Sequence, residues 1–166
     1  MEVNLDKIIF NFSKELEEFK YFKQFNVYET VDCKDYMHTK KDNFRKACIS
    51  NLQTTIPTLK VISIKIIDTI EGTSLEGQCL TGKKLIIIGK ISLRVILTYF
   101  FNCKTYENSI IDVNIPFSTF IIIPKDICST DKVNLRYLIE DVSSESLSKS
   151  KIILSVTILM QYLDEY

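Results

Sequence analysis

A chain of 166 residues with 21 basic and 21 acidic side chains carries no formal charge, and its apolar fraction of 46% is that of an ordinary globular protein. Charge balance excludes a sequence-independent electrostatic grip on nucleic acid or an anionic membrane, and the length suits one domain with a real core. The amino end, MEVNLDKIIFNF, has acids early and no small-residue cleavage site, which argues against a secretory signal; the most apolar run, 85–101, carries Lys90 and Arg94 and reads as a strand rather than a membrane span.

Residues 4–22 set Leu5, Ile8, Ile9, Phe12, Leu16 and Phe19 at helical spacing, with Lys14, Glu15, Glu17 and Glu18 opposite. That spacing predicts an amphipathic helix, with an apolar face that docks on its own sheet or on a neighbouring molecule. Residues 1–21 are therefore read as a helical arm and 22–166 as a β domain. A first strand is expected over 22–31. Residues 33–54 are polar and mixed, with a short helix expected over 42–51 and a basic, solvated face at Lys40, Lys41, Arg45 and Lys46.

Strands dominate from there. Period-two alternation marks 58–70, 84–101, 109–116, 132–142 and 151–163. The core is assigned to Ile62, Ile64, Ile66, Leu85, Ile87, Leu93, Val95, Ile111, Val113, Leu135, Tyr137, Leu154, Val156 and Ile158. One-faced strands with short connections mean antiparallel sheets whose apolar faces meet. The fold class expected is mainly β: an antiparallel β-sandwich or curled sheet with an amino-terminal amphipathic helix. The strand 84–101 would stretch about 55 Å if straight, so a bend or bulge is expected at Gly89.

The stretch EGTSLEGQCLTGKKLIIIGK, residues 71–90, holds all four glycines of the chain. Within it GQCLTGKK approximates the phosphate-loop pattern G-x-x-x-x-G-K-[ST]. It departs where magnesium would be held, because Lys84 stands where the hydroxyl belongs, and it is followed by a strand pattern instead of a helix. The glycines are read as serving turns.

Catalytic chemistry finds little support. His38 is the single histidine, in a polar segment, so no multi-histidine metal site exists. In the pair Glu140 and Asp141, alternation sends the two carboxylates to opposite faces, and the pair Glu71 and Glu76 is not diagnostic. The five cysteines, at 33, 48, 79, 103 and 128, form no C-x-x-C pair. They read as reduced thiols and small buried hydrophobes, with Cys79 and Cys103, in expected turns, the candidates for later cross-linking.

The residues Gly72, Thr73, Ser74, Leu75, Glu76, Gly77 and Gln78, then Leu80, Thr81, Gly82, Lys84, Leu85 and Gly89, then IPFSTFIIIP at 115–124 and the Ile139–Glu140–Asp141 triplet, resemble the SPOCS domain family. These domains occur in spore-forming clostridia and their relatives. The resemblance spans about residues 22–163. It departs at CKDYMHTKKDNFRKAC, which is basic and lacks proline where family members carry an acidic, proline-containing segment. The resemblance implies a non-enzymatic role in the spore coat or exosporium, made in the mother-cell cytoplasm and assembled on the spore surface. It implies partners among other spore-envelope proteins or further copies of the chain, with no cofactor, small-molecule substrate or nucleic acid. The loop Gly72–Gln78 with Gly82 is then the candidate interaction loop. The alternative is a carbohydrate- or peptidoglycan-binding β-sandwich, which would show exposed aromatics; Phe100, Phe101, Phe117 and Phe120 are instead assigned to the core.

Overall fold

The computed structural model describes residues 3–7, 20–36, 47–75, 77–101, 105–128 and 132–163. These residues are almost entirely β-structure, in two sheets whose apolar faces share one core. In chain order the strands are β1 (Val3–Lys7), β2 (Phe22–Asp32), β3 (Ala47–Thr54), β4 (Thr58–Thr73), β5 (Cys79–Phe101), β6 (Thr105–Ile122), β7 (Val133–Ser146) and β8 (Lys151–Leu163), with a 3-10 turn at Lys34–Tyr36 after β2. One sheet has the order β1-β7-β8-β2. In the other, β5 pairs with β6 along one edge and with β3 and β4 along the other. The strands β3 and β4 lie end to end on β5, joined through Thr55–Pro57. All pairings are antiparallel except that of β1 with β7, which is parallel.

The strand β5 organises the second sheet. Its 23 residues would extend roughly 75 Å if straight. Its odd positions Leu85, Ile87, Ile91, Leu93, Val95, Leu97 and Tyr99 are buried, as the alternation requires. Opposite them stand Ile111, Val113, Ile115, Phe117 and Ile121 of β6 and, from the other sheet, Ile152, Leu154, Val156, Ile158 and Met160 of β8. The register between β5 and β6 runs unbroken from Lys84 opposite Ile122 to Phe101 opposite Thr105. Pro116 fits within β6 because that strand pairs on one side only.

The bulge expected at Gly89 falls on the neighbour instead. Val61 faces Gly89 and Ser63 faces Ile88, so Ile62 is the extra residue. The same device recurs at Ser50 in β3 and at Glu140 in β7. Each bulge resets the phase: the inward residues are Ile49 then Leu52, Val61 then Ile64, Ile139 then Val142. Ile62, assigned to the core, is thereby turned out and is 61% exposed. Gly89 is needed for a different reason. A Cβ there would sit 2.5 Å from the Phe117 ring and 2.6 Å from the Lys60 carbonyl oxygen.

Two expected helices are corrected where the described residues reach them. Residues 3–7 form a strand in register with Val133–Tyr137, and half-buried Leu5 packs on the core opposite Leu135. The segment 1–21 thus contributes a strand to the sheet, and the rest of the expected docking face, Ile8, Ile9, Phe12, Leu16 and Phe19, lies outside the described residues. The helix expected over 42–51 is replaced by β3 from Ala47 onward. No helix among the described residues is long and apolar enough to cross a membrane.

Truncating fully buried Ile87 to alanine should cost about 2–5 kcal/mol, whereas the same change at Ile62 should cost under about 0.5 kcal/mol. Gly89→Ala should cost about 1–3 kcal/mol through the clash with Phe117 and Lys60. Urea unfolding of the three variants measures all of this.

Candidate functional site

The glycine-bearing stretch closes the β4–β5 hairpin. Gly72 and Thr73 are in β4, opposite Leu80 and Cys79. The Ser74 N–H donates to the Gln78 carbonyl and the Gly77 N–H to the Ser74 carbonyl, each at 2.9 Å, while the Ser74 Oγ accepts from the Gln78 N–H at 3.0 Å. Leu75 stands fully exposed at the tip. Glu76 lies outside the described residues, so its pairing with Glu71 does too.

Five residues beyond Gln78, the would-be phosphate lysine has structural employment. The Lys83 ammonium donates to the Ile127 carbonyl at 2.5 Å, and the Lys83 carbonyl accepts from the Ile123 N–H at 3.3 Å. The Thr81 hydroxyl donates to the Ile123 carbonyl at 2.5 Å, and Lys125 forms an ion pair with Glu71. These bonds clip the chain after β6 onto the start of β5. Gly82 between them has φ 92°, opposite a second irregularity in β4. A Cβ at Gly82 would also meet the Glu71 side chain at 2.8 Å. The chain continues from there as strand, so no helix amino terminus faces the loop.

Beside the hairpin lies a cleft of about 690 Å³. Residues 77–79 with Thr81 line one wall, and residues 20–24 the other. The second wall is held by Gln161, only 2% exposed although its place in β8 points away from the core. Its Nε2 donates to the Lys20 carbonyl at 2.9 Å, and its Oε1 accepts from Arg136 Nε at 2.8 Å. The Tyr162 N–H donates to the Tyr21 carbonyl at 2.9 Å, and the two tyrosine rings meet edge to face at 6.3 Å. Tyr21 is held at φ 51°, which is uncommon for a bulky residue and costs on the order of 1–3 kcal/mol. Lys23 and Lys84 place their ammonium groups 5.3 and 4.6 Å from the centre of the Phe120 ring. Sequence reasoning missed this elbow, because Gln161 reads as an ordinary outward polar residue of an alternating strand.

The remaining candidates are scattered. The bulge at Glu140 overturns the expected separation of Glu140 and Asp141: Ile139 and Val142 both turn inward, leaving both carboxylates exposed on one face. They have different partners, Gln24 Nε2 donating to Glu140 Oε2 at 2.6 Å and Ser143 Oγ to Asp141 Oδ2 at 3.0 Å. Cys79 is exposed with a free thiol at the first position of β5; Cys103, like His38 and the basic cluster from Lys40 to Lys46, lies outside the described residues. Cys33 is fully buried, and burial, with the charge of Asp32 adding to it, pushes its thiol up from 9.0 to about 11. Phe117 is buried and Phe100 and Phe120 are half-buried, while the Phe101 side chain is outside the described set. No three His, Cys, Asp or Glu side chains among the described residues converge as a metal site requires. Comparison with family models, with curated proteins and with solved structures finds no match in any of the three.

Replacing Lys83 with alanine should lower stability by about 1–3 kcal/mol, since a charged hydrogen bond is lost and a carbonyl is left bare. Gly82→Val should cost about 2 kcal/mol or more, and Lys65→Ala, exposed on β4, less than about 0.5 kcal/mol. For Cys33 the folded state holds its proton more tightly than the unfolded chain. Its contribution to stability is therefore complete below about pH 9 and declines as pH rises toward about 11. Unfolding measured across that window should show a steeper decline for the native chain than for Cys33→Ala.

Proposed function

We propose that this protein is a non-enzymatic association module of the spore envelope, joining copies of itself or other envelope proteins through the edge formed by β3 and β4. The observation that carries the reading is that four large apolar side chains, spaced five to eight residues apart, are exposed along that one ribbon. Ile56 is 77% exposed, Ile62 61% and Ile70 78%, and Leu75 is fully exposed. Exposed apolar side chains along a strand edge that has no partner among the described residues suit it to contact with another chain.

The energetics favour a combined contact. Removing four such side chains from water contributes roughly 6–12 kcal/mol, of the same order as the freedom lost on association. These side chains alone therefore yield weak binding. Main-chain bonding to the far edge of β4, which among the described residues pairs only with β5, adds strength without a demanding side-chain code. The bulges at Ile62 and at residues 69–70, with Lys60 and Lys65 on the same strand, restrain indiscriminate edge pairing. The residues that resemble the SPOCS family, Gly72 to Gln78, occupy the tip of this ribbon, which supports a place on the spore surface.

The test is the double variant Ile62→Lys/Ile70→Lys. Light scattering should show the native chain gaining mass with concentration, or spore-envelope extract should retain it, and the variant should lose that behaviour while unfolding within about 1 kcal/mol of native. A variant that associates as the native chain does would sink the reading, as would a native chain that stays monomeric and captures nothing.

A further inference from the structure

The cleft beside the hairpin presents basic side chains in a chain that is neutral as a whole, although the Glu140 carboxylate reaches its lining residue Gln24 and the Lys23 ammonium also lies over the Phe120 ring. Lys20 and Lys23 line it, no acidic residue among the described ones does, and neither ammonium has a carboxylate partner among those residues. Its volume of about 690 Å³ lies within the usual range for ligand clefts. The wall that presents the lysines is built: the uncommon conformation of Tyr21 is maintained by the bonds from Gln161 and Tyr162, and Phe22, 45% exposed, stands between the two lysines in sequence. Backbone strain held in place by its surroundings is a feature of ligand clamps.

We propose that this cleft seats an acidic peptide segment of a partner protein, one in which carboxylates flank an apolar side chain. The carboxylates meet Lys20 and Lys23, and the apolar residue lies against Phe22. A sugar fits less well, because it needs polar side chains aimed at its hydroxyls, and two of those present are spent elsewhere: the Gln24 amide on Glu140 and the Thr81 hydroxyl on the Ile123 carbonyl. The inference rests on the association reading only in taking a protein as the occupant. The cleft and the β3–β4 edge involve different residues, so either can fail alone.

The experiment uses the full chain and three probes: a fluorescein-labelled Glu-Glu-Phe-Glu-Glu peptide, its Lys-Lys-Phe-Lys-Lys counterpart, and a trimer of galacturonic acid. The acidic peptide should bind, more weakly as salt is added, and Lys20→Glu/Lys23→Glu should weaken it by about tenfold or more. Lys65→Ala, at an exposed position on β4, should bind it as the native chain does. The thiols provide a second readout that needs no variant. Cys79 lines the cleft and Cys128 is exposed outside it, so bound peptide should slow alkylation of Cys79 by iodoacetamide and leave Cys128 unchanged. Absent binding, equal binding of the basic peptide, undiminished binding by the lysine double variant, or an unprotected Cys79 would each overturn the proposal. Binding of the uronate trimer in preference to the peptide would assign the cleft to an anionic sugar instead.

Discussion

Everything in this fold depends on the pairing of β5. Both of its edges are occupied along most of its length, by β6 on one side and by β3 and β4 on the other. The same strand supplies the core floor, from Leu85 to Tyr99, onto which β8 lays Ile152 to Met160. A slip of one residue would send Lys90 and Arg94 into that core and turn Ile91 and Leu93 out, so register and burial enforce each other. Arg94 adds to this on the outer face, where Asp112 on β6 accepts its Nε–H at 2.8 Å and holds the guanidinium charged.

Long paired strands accumulate twist, and the bulges fall where it can be released. Among the described residues, Ser50, Ile62 and residues 69–70 lie on strands that pair only with β5. Glu140 lies on β7 just beyond the part that β1 covers, which ends at Tyr137. A bulge at such a position bends and twists the strand and discourages stray pairing. In β4 the bulges also present Ile62 and Ile70 to solvent, so two of the exposed isoleucines on the edge come from the same device that lets the sheet coil.

Regular alternation made most of this legible from sequence. The strands at 84–101, 109–116 and 151–163 were visible because each buries one face without interruption. What period-two reasoning could not see was the bulge. In β4 it displaced Ile62, and in β7 it put Glu140 and Asp141 on one face. The helix expected over 42–51 gives way to β3 from Ala47 onward because those residues take their structure from pairing with β5, a long-range contact that local signals do not encode. The strand β1 failed for the same reason. Its five residues, VNLDK, take their structure from pairing with β7, a long-range contact that local spacing does not encode. At the site, the glycines announced the hairpin, but its facing wall at residues 20–24 is placed by Gln161, about 140 positions away, and no local signal points to it.

The central claim is that the β3–β4 edge is where this chain meets its partners. The most direct measurement places the photo-crosslinking residue benzoylphenylalanine at position 70, on that edge, and separately at position 110, which is exposed on β6 and clear of it. Each chain is irradiated alone at high concentration and again with spore-envelope extract. The account predicts covalent adducts from position 70 and little or none from position 110. Adducts from position 110 alone, or equally from both, would contradict it.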